Sequence, residues 1–230
     1  MEFELQHRPA YALLIAHLDP QETVVAEAGA MVSMSDGITL ETSAGKKSDG
    51  LMGSLMKGLK RIVAGESFFQ NRYTAKGAAG EVTFAPTLQG DIETTTLQGG
   101  TLYLQSTAYI CSGEDIEVTA KWGGARTFFG GEGLVMLKAT GTGPIAFNCF
   151  GAIKEVEVNG TFTVDTGHIV AFADGVQFRV HRFGGAWKSF LLGGEGLVCT
   201  FSGKGKVWIQ TRNPHSFGEF LGKKLPPRQA

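Results

Sequence analysis

The sequence GGEGLV occurs at residues 130–135 and again at residues 193–198, and a weaker version, AGESFF, lies at residues 64–69. The glutamates of the three copies, Glu66, Glu132 and Glu195, are separated by 66 and 63 residues. A near-constant spacing of this size indicates a supersecondary unit that is used three times. The motif therefore predicts the architecture, but it specifies neither a substrate nor a catalytic group.

Alternating apolar residues follow the two full copies of the motif. In residues 133–148 and 196–211 every second residue of several short runs is apolar, which is the period of strands with one buried face. A Gly-X-Gly triplet interrupts each segment, at residues 141–143 and 203–205. Because glycines between alternating runs are typical of tight turns, each segment is predicted to form a hairpin.

A second hairpin is predicted upstream of each motif. Its turn lies at Asp36-Gly37 in the first copy, near Gly113 in the second and at Asp174-Gly175 in the third. Asp-Gly sequences favour the positive φ angles of tight turns. The distances from these turns to the motif glutamates are 29, 19 and 20 residues, so the first copy contains an insertion.

The insertion has the pattern of an amphipathic helix at residues 48–63. One interpretation is that its apolar face packs on the β-body or on a neighbouring subunit. The other is that the helix docks on a protein partner or an anionic membrane surface, because basic residues flank a methionine-rich apolar face. The apolar residues are Leu51, Met52, Leu55, Met56, Leu59, Ile62 and Val63, and the basic residues are Lys57, Lys60 and Arg61.

These patterns predict an all-β chain of three small modules with one inserted helix and a short C-terminal helix. The predicted modules are residues 1–95, 96–157 and 158–212, followed by a helix and tail at residues 213–230. The terminal helix is expected to begin at Asn213-Pro214, because asparagine is a good N-cap and proline suits the first helical position.

Composition describes a globular protein with no strong electrostatic preference. The 230 residues carry a formal net charge of −1, and 33 glycines with only 7 prolines indicate many turns. Three unclustered cysteines, Cys111, Cys149 and Cys199, favour a reducing compartment over a disulfide framework. With no signal peptide and no apolar run of about 20 residues, the expected location is cytoplasmic or peripheral to a membrane.

Candidate chemistry is sparse. The five histidines are scattered along the chain, no phosphate-loop or nucleophile motif occurs, and no metal or cofactor is predicted. The recurring Glu66, Glu132 and Glu195, beside Gly131 and Gly194, have two interpretations. In the functional interpretation they line a shared axis or bind a cation. In the structural interpretation, which recurrence favours, they accept hydrogen bonds from turn amides.

Several segments together resemble one known family. They are VVAEAGAMVSM at residues 24–34, VDTGHIVAF at residues 164–172 and WIQTR at residues 208–212, in addition to the three motif copies. This set is similar to the bacterial and mitochondrial family named for altered inheritance of mitochondria. The resemblance implies three small two-sheet modules of the double-stranded β-helix type, like those of the tryptophan-RNA-binding attenuation protein. It also implies cyclic homo-oligomers and, for mitochondrial relatives, a role in inner-membrane organisation.

The resemblance implies no established catalytic activity. RNA binding is not expected, because Lys204 and Lys206 have no counterparts around Gly141–Gly143. We therefore expect an oligomeric scaffold or binding module, most simply a cyclic trimer. The alternative is a small-molecule-binding protein or metal-dependent enzyme that uses clefts between modules.

Overall fold

The computed structural model describes residues 1–43, 70–121, 135–182 and 197–226, and within these ranges the chain is predominantly β. This confirms the all-β class. The strands are β1 Glu2–Gln6, β2 Leu13–Leu18, β3 Thr23–Glu27, β4 Met31–Met34, β5 Ile38–Ser43, β6 Gln70–Ala75, β7 Gly80–Phe84, β8 Ile92–Gln105, β9 Tyr109–Gly113, β10 Ile116–Lys121, β11 Met136–Asn148, β12 Ile153–Asp165, β13 Ile169–Ala173, β14 Val176–Arg182 and β15 Leu197–Gln210, and helix α1 is Pro214–Gly222.

The described strands form two sheets. The smaller has four strands in the order β1-β2-β7-β4. The larger has the order β12-β15-β13-β8-β11-β9-β3-β6-β5, with β10 added on β11 and β14 added on β15. Every ladder between these strands is antiparallel.

Two pairs of long strands dominate the larger sheet. Strand β8 pairs with β11 along its length, and β12 pairs in the same way with β15. The glycine triplets lie inside β11 and β15, so the hairpin turns predicted at residues 141–143 and 203–205 are wrong. Gly141 and Gly203 have φ of +136° and +111°. These glycines let another segment approach closely, since a Cβ at Gly203 would lie 2.7 Å from the carbonyl oxygen of Gly175.

The upstream turns at Asp36-Gly37, Gly113 and Asp174-Gly175 are correctly predicted, but the strands that flank each turn do not pair with each other. Strands β4 and β5 pair with β7 and β6, respectively. Strands β9 and β10 pair with opposite ends of β11, and β13 and β14 with opposite ends of β15. Each turn is therefore a corner that carries the chain from one end of a long strand to the other.

The N-terminal part has the same pairings with interrupted strands. Strand β2 pairs with β7 and β3 with β6, so two short ladders stand where a single long one joins β8 to β11. The interruptions are residues 19–22 and residues 76–79. The longer turn predicted near Gly77 and Gly80 is thus correctly placed between β6 and β7.

Three hydrophobic clusters lie in the described part of the chain. The first is formed mostly by residues 12–84, the second mostly by residues 97–149 and the third by residues between 136 and 207. The three cysteines are free and buried among these residues, as the sequence predicts.

The C-terminal helix α1 is confirmed at its predicted start. The Asn213 side chain accepts hydrogen bonds from the backbone N–H groups of His215 and Ser216, and Pro214 occupies the first turn. The ring of Phe217 packs on Phe150 with centroids 5.2 Å apart, which holds the helix against the end of the β-structure. The predicted helix at residues 48–63 lies outside the described residues.

Candidate functional site

The candidate site residues from the sequence all lie outside the described residues. In the chain, the three internal segments concerned connect β5 to β6, β10 to β11 and β14 to β15. The residues are the motif Glu66, Glu132, Glu195, Gly131 and Gly194, and the candidate docking residues Leu51, Leu55, Met56, Leu59, Lys57, Lys60 and Arg61.

Within the described ranges, no group of three or more histidine, cysteine, aspartate or glutamate side chains is arranged to hold a metal ion. In the same part of the chain, no helix has the length and apolar character needed to cross a membrane.

The most informative feature is shared by three short strands, β4, β9 and β13, which we call the bulged strands. Strands β9 and β13 pair with the second halves of the long strands β11 and β15, and β4 pairs with β7, which takes the place of such a half in the N-terminal part. In each pairing one residue of the short strand has no partner opposite it. The skipped residues are Val32 in β4, Ile110 in β9 and Val170 in β13. A shared skip at the same point means that the three strands present corresponding residues on corresponding faces.

Corresponding residues of the bulged strands differ sharply in burial. Ile110 and Val170 are each 1% exposed, whereas Val32 is 57% exposed. Two residues further along, Ser112 and Phe172 are 0% and 2% exposed, whereas Met34 is 44% exposed. Exposed apolar side chains at positions that are buried elsewhere in the same chain indicate a surface that lacks its partner.

The difference has a direct structural cause. Strand β9 pairs along its outer edge with β3, and β13 pairs along its outer edge with β8. Among the described residues, β4 pairs with β7 alone and its outer edge has no strand beside it. Strand β12 pairs with β15 in the way that β8 pairs with β11. In the described part of the sheet, β12 likewise has a free outer edge.

The joint between β8 and β13 shows what such an edge contact provides. The rings of Tyr103 and Phe172 stack with centroids 4.9 Å apart. At the corner, the Asp174 carboxylate accepts a hydrogen bond from the Thr101 N–H at 3.0 Å, and the Asp174 N–H donates to the Thr101 carbonyl at 3.0 Å. Backbone pairing, ring packing and a reciprocal corner bond therefore act together at this joint.

The joint between β3 and β9 has a more polar character. The Tyr109 hydroxyl is buried, donates to the Val25 carbonyl at 2.9 Å and lies 3.0 Å from the Ser112 hydroxyl. Next to it is a cavity of about 140 Å³ lined by Glu27, Tyr109 and Asn148 together with residues 28–30, 85–87, 107 and 110. Burial raises the pKa of Glu27 from 4.5 to about 7, because the charged carboxylate loses solvation there.

Asn148 serves the turn before β9. With its amide oriented to match its neighbours, the Asn148 side-chain nitrogen donates to the carbonyls of Ala108 and Thr107 at 2.8 and 3.0 Å. Gln210 does the same work before β13, where its side chain donates to the Gly167 carbonyl at 2.9 Å. Asn148 therefore supports the turn before β9 as Gln210 supports the turn before β13. Glu27 is the ionisable residue of the cavity that has no such structural role.

An ion pair fixes the N-terminal segment to the start of β8. The Arg8 guanidinium donates to both oxygens of Asp91, from Nε at 2.7 Å and from Nη2 at 2.9 Å. Asp91 is 5% exposed, and hydrogen bonding to its carboxylate raises the pKa of Arg8. The Asp91 backbone also bonds to the carbonyl of Gly151 and the N–H of Cys149. The pair therefore stabilises the place where the N-terminal and central parts meet.

Fold and surfaces together define a β-protein in which successive parts of the chain join edge to edge, and among the described strands those at the ends of the two sheets, including β4 and β12, have a free outer edge. The sequence matches the family described as mitochondrial biogenesis AIM24 over residues 3–212, and the chain belongs to this family.

An uncharacterized protein of Streptococcus pyogenes serotype M6 is 30% identical over 230 residues, which cover 98% of this chain and 92% of that protein. A crystal structure of a protein from Streptococcus pyogenes superposes with a TM-score of 0.79 at 26% identity, covering 97% of this chain and 99% of the other.

Sequence reasoning missed the exposed residues of β4. Their signal is the correspondence of MVSMS at residues 31–35 with YICSG at residues 109–113 and IVAFA at residues 169–173. The three stretches share small residues at their third and fifth positions, but this becomes visible only when the pairing gives the alignment.

Proposed function

We propose that this protein is a non-enzymatic, homo-oligomeric β-scaffold. The observation that carries the proposal is the contrast between β4 and the other bulged strands, whose apolar residues are covered by a neighbouring strand. An exposed strand edge with apolar side chains is a liability for a soluble chain unless another chain covers it. Assembly through this edge accounts for its composition.

The scaffold consists of three repeated modules of the kind found in the tryptophan-RNA-binding attenuation protein. The matching ladders of β8 with β11 and of β12 with β15, the interrupted version in the N-terminal part, and the shared skipped residue support this repeat. The pairings favour module boundaries near residues 90 and 151, because β8 and β12 each open a set of pairings. The module boundaries after residues 95 and 157 that the sequence predicts would lie inside β8 and β12.

The assembly is a cyclic trimer. Modules join head to tail within the chain, and a head-to-tail contact between subunits closes into a ring when the rotation per subunit allows it. Static light scattering of the purified full-length protein tests this directly. We expect three times the mass of one chain at micromolar concentration, whereas the mass of a single chain would contradict the proposal.

The segment at residues 48–63 serves the scaffold as a docking helix for a partner or an anionic membrane surface, in a protein that is cytoplasmic or peripheral to a membrane. The support is its sequence pattern together with the word mitochondrial in the family description. Flotation with vesicles of phosphatidylcholine and phosphatidylserine at low and physiological salt tests the membrane version. Binding that Leu55→Asp and Leu59→Asp abolish at unchanged thermal stability supports docking, whereas loss of stability supports internal packing.

A second candidate function is binding of a small molecule in the cleft between the first two modules. The specific observation is Glu27, whose pKa burial raises to about 7 beside the buried Tyr109. At about 140 Å³ the cavity is small compared with sites for drug-sized ligands, which usually span about 300–1,000 Å³. Metal analysis and a thermal-shift screen of the wild type against Glu27→Gln test this function. A ligand that stabilises the wild type and not the variant would favour it.

A further inference from the structure

We infer that the outer edge of β4 in one subunit pairs, antiparallel and in a defined register, with the second half of β12 in the next subunit. This inference rests on the proposed oligomeric scaffold and names its interface. Met34 lies opposite Thr163, Ser33 opposite Val164, and Ser35 opposite Phe162.

The register comes from the two joints inside the chain. In one joint, Cys111, Ser112 and Gly113 of β9 lie opposite Ala26, Val25 and Val24 of β3. In the other joint, Ala171, Phe172 and Ala173 of β13 lie opposite Leu104, Tyr103 and Leu102 of β8. The skipped residue immediately precedes the first member of the triplet in both cases, which assigns Ser33, Met34 and Ser35 as the triplet of β4.

The receiving half of β12 is assigned from its own ladder. Thr101 of β8 lies opposite Thr140, the residue paired with Glu117, and Thr161 of β12 lies opposite Ser202, the residue paired with Gln177. Glu117 and Gln177 are each the second residue of the strand that follows a corner, so Thr161 corresponds to Thr101. Residues 162–164 of β12 therefore correspond to residues 102–104 of β8.

Charge along β12 agrees with this assignment. The first half of the strand carries Lys154, Glu155 and Glu157, which protect an edge from pairing. Residues Thr161–Val164, which precede the terminal Asp165 of β12, carry no charge and are rich in β-branched side chains. Of the two parts of β12, only Thr161–Val164 is suited to accept another strand.

The hydrophobic clusters indicate where the skipped residue of each bulged strand packs. Ile110 of β9 belongs to the first hydrophobic cluster, and Val170 of β13 belongs to the second, so each inserts into the cluster of the preceding part of the chain. By the same shift, Val32 inserts into the third cluster of the neighbouring subunit. Among the described residues this third cluster is the smallest of the three, and Phe162 and Val164 of β12 are half-buried at its margin.

The corner contact is also left without its counterpart. Asp174 exchanges two hydrogen bonds with Thr101 at the joint between β13 and β8. Asp36 occupies the corresponding corner, and its carboxylate accepts from the N–H of the adjacent Gly37 at 3.0 Å. In the assembly, the Asp36 carboxylate accepts from the Thr161 N–H of the next subunit.

A cysteine pair tests the register. The Met34→Cys/Thr163→Cys variant should form covalent oligomers on mild oxidation, because directly opposite residues in antiparallel strands have the separation that a disulfide needs. Two controls should yield at least tenfold less product. Met34→Cys/Glu157→Cys places the second thiol six residues away on the same strand, and Met34→Cys alone cross-links only if β4 pairs with its own copy.

A charge substitution provides an independent readout. Val32→Lys should convert the oligomer to monomer while the far-ultraviolet circular dichroism of the folded chain is retained, since Val32 is exposed in the isolated chain. The matched control is Leu40→Lys, which changes a residue of β5 that is 45% exposed. Phe178 of β14 corresponds to Leu40 and is also exposed, although the preceding strand β13 pairs with β8. Exposure at this position therefore does not depend on a neighbouring strand, and Leu40→Lys should leave the mass unchanged.

The outcomes separate this interface from the proposed scaffold. A monomeric wild type would overturn both. An oligomeric wild type that forms no cross-link in the Met34→Cys/Thr163→Cys variant, or that keeps its mass with Val32→Lys, would overturn the β4–β12 interface and leave the oligomeric scaffold standing.

Discussion

Strands β4 and β13 follow the same rules of pairing and have opposite surroundings. Each pairs with the end of a longer strand or its counterpart, skips one residue and leads into a corner that contains an Asp-Gly pair. Val170 and Phe172 of β13 are buried, whereas Val32 and Met34 of β4 are exposed. Within the described residues, β13 has a strand beside its outer edge and β4 has none, so the exposure follows this edge contact and not the character of the side chains.

The largest expected change in the free energy of unfolding distinguishes the buried strand β13 from the exposed strand β4. Phe172→Ala should lower the free energy of unfolding by about 3–5 kcal/mol, because it leaves a cavity among several packed rings. Phe172 contacts Tyr103, Phe178 and Phe201 with centroids 4.9, 5.1 and 5.2 Å away. Urea denaturation in a Val32→Lys background, which we expect to prevent association, measures the effect.

The matched variant in β4 is Met34→Ala. In the same background its effect on the free energy of unfolding should stay within about 0.5 kcal/mol, as for other exposed positions. Equal losses for Phe172→Ala and Met34→Ala would show that β4 is packed within its own chain and would contradict the comparison.

The second prediction concerns the continuous strands and the interrupted N-terminal ones. Gly203→Ala should cost about 1–3 kcal/mol of unfolding free energy, because it forces a side chain into a left-handed conformation and against the Gly175 carbonyl. Gly77→Ala lies between β6 and β7, also at positive φ, where a Cβ meets nothing within 4 Å. It should cost less than Gly203→Ala in thermal unfolding, and the reverse order would argue against close approach at the corner.

The third prediction compares a joint inside the chain with the exposed face of the β12–β15 ladder. Arg8→Met should cost about 1–2 kcal/mol, since it leaves the buried Asp91 carboxylate without its strongest partner, while the part of Arg8 that is exposed limits the loss. Lys206→Met breaks an exposed pair with Glu155 at 2.8 Å. We expect no measurable change in thermal stability for Lys206→Met, because exposed ion pairs contribute little. A larger loss for Lys206→Met would contradict this ranking.

The last comparison distinguishes the two joints inside the chain. Glu27 ends β3, whereas the uncharged Gln105 ends β8 at the corresponding place. A pKa raised from 4.5 to about 7 means that the folded state holds the Glu27 proton more tightly than the unfolded state does. Stability should therefore decline as the pH rises from about 4.5 through about 7, and above this range charged Glu27 destabilises the fold.

Replacing Glu27 removes this penalty. Glu27→Gln should melt a few degrees higher than the wild type at pH 8 and at the same temperature near pH 4, as measured by differential scanning calorimetry. An unchanged difference across this pH range would show that the Glu27 carboxylate is solvated, and the matched Gln105→Glu variant should introduce no comparable pH dependence if the other joint lacks such a cleft.

Local features of the fold could be predicted from the sequence. The corners at Asp36-Gly37 and Asp174-Gly175 and the N-cap at Asn213 depend on the conformational preferences of neighbouring residues, and their positions were predicted correctly. The period of two in the apolar residues likewise located most strands. These signals act over a few residues and need no knowledge of the partner strand.

The pairing could not be predicted in the same way. The sequence predicts turns at Gly141 and Gly203, because glycine has the same local preference in a turn and in a strand that another segment approaches closely. Whether a bulged strand has a neighbour depends on distant strands, since the partners of β9 and β13 lie 67 to 89 residues away in sequence, and no local pattern contains that information. The motif glutamates and the helix at residues 48–63 stay predictions, because they lie outside the described residues.

We propose that another subunit covers the outer edge of β4, which has no strand beside it in the described part of the chain. Multi-angle light scattering of the full-length wild type and of Val32→Lys, at the same micromolar concentration, is the decisive measurement. We expect three times the mass of one chain for the wild type and the mass of one folded chain for Val32→Lys. Identical masses for the two proteins would show that this edge is not the interface.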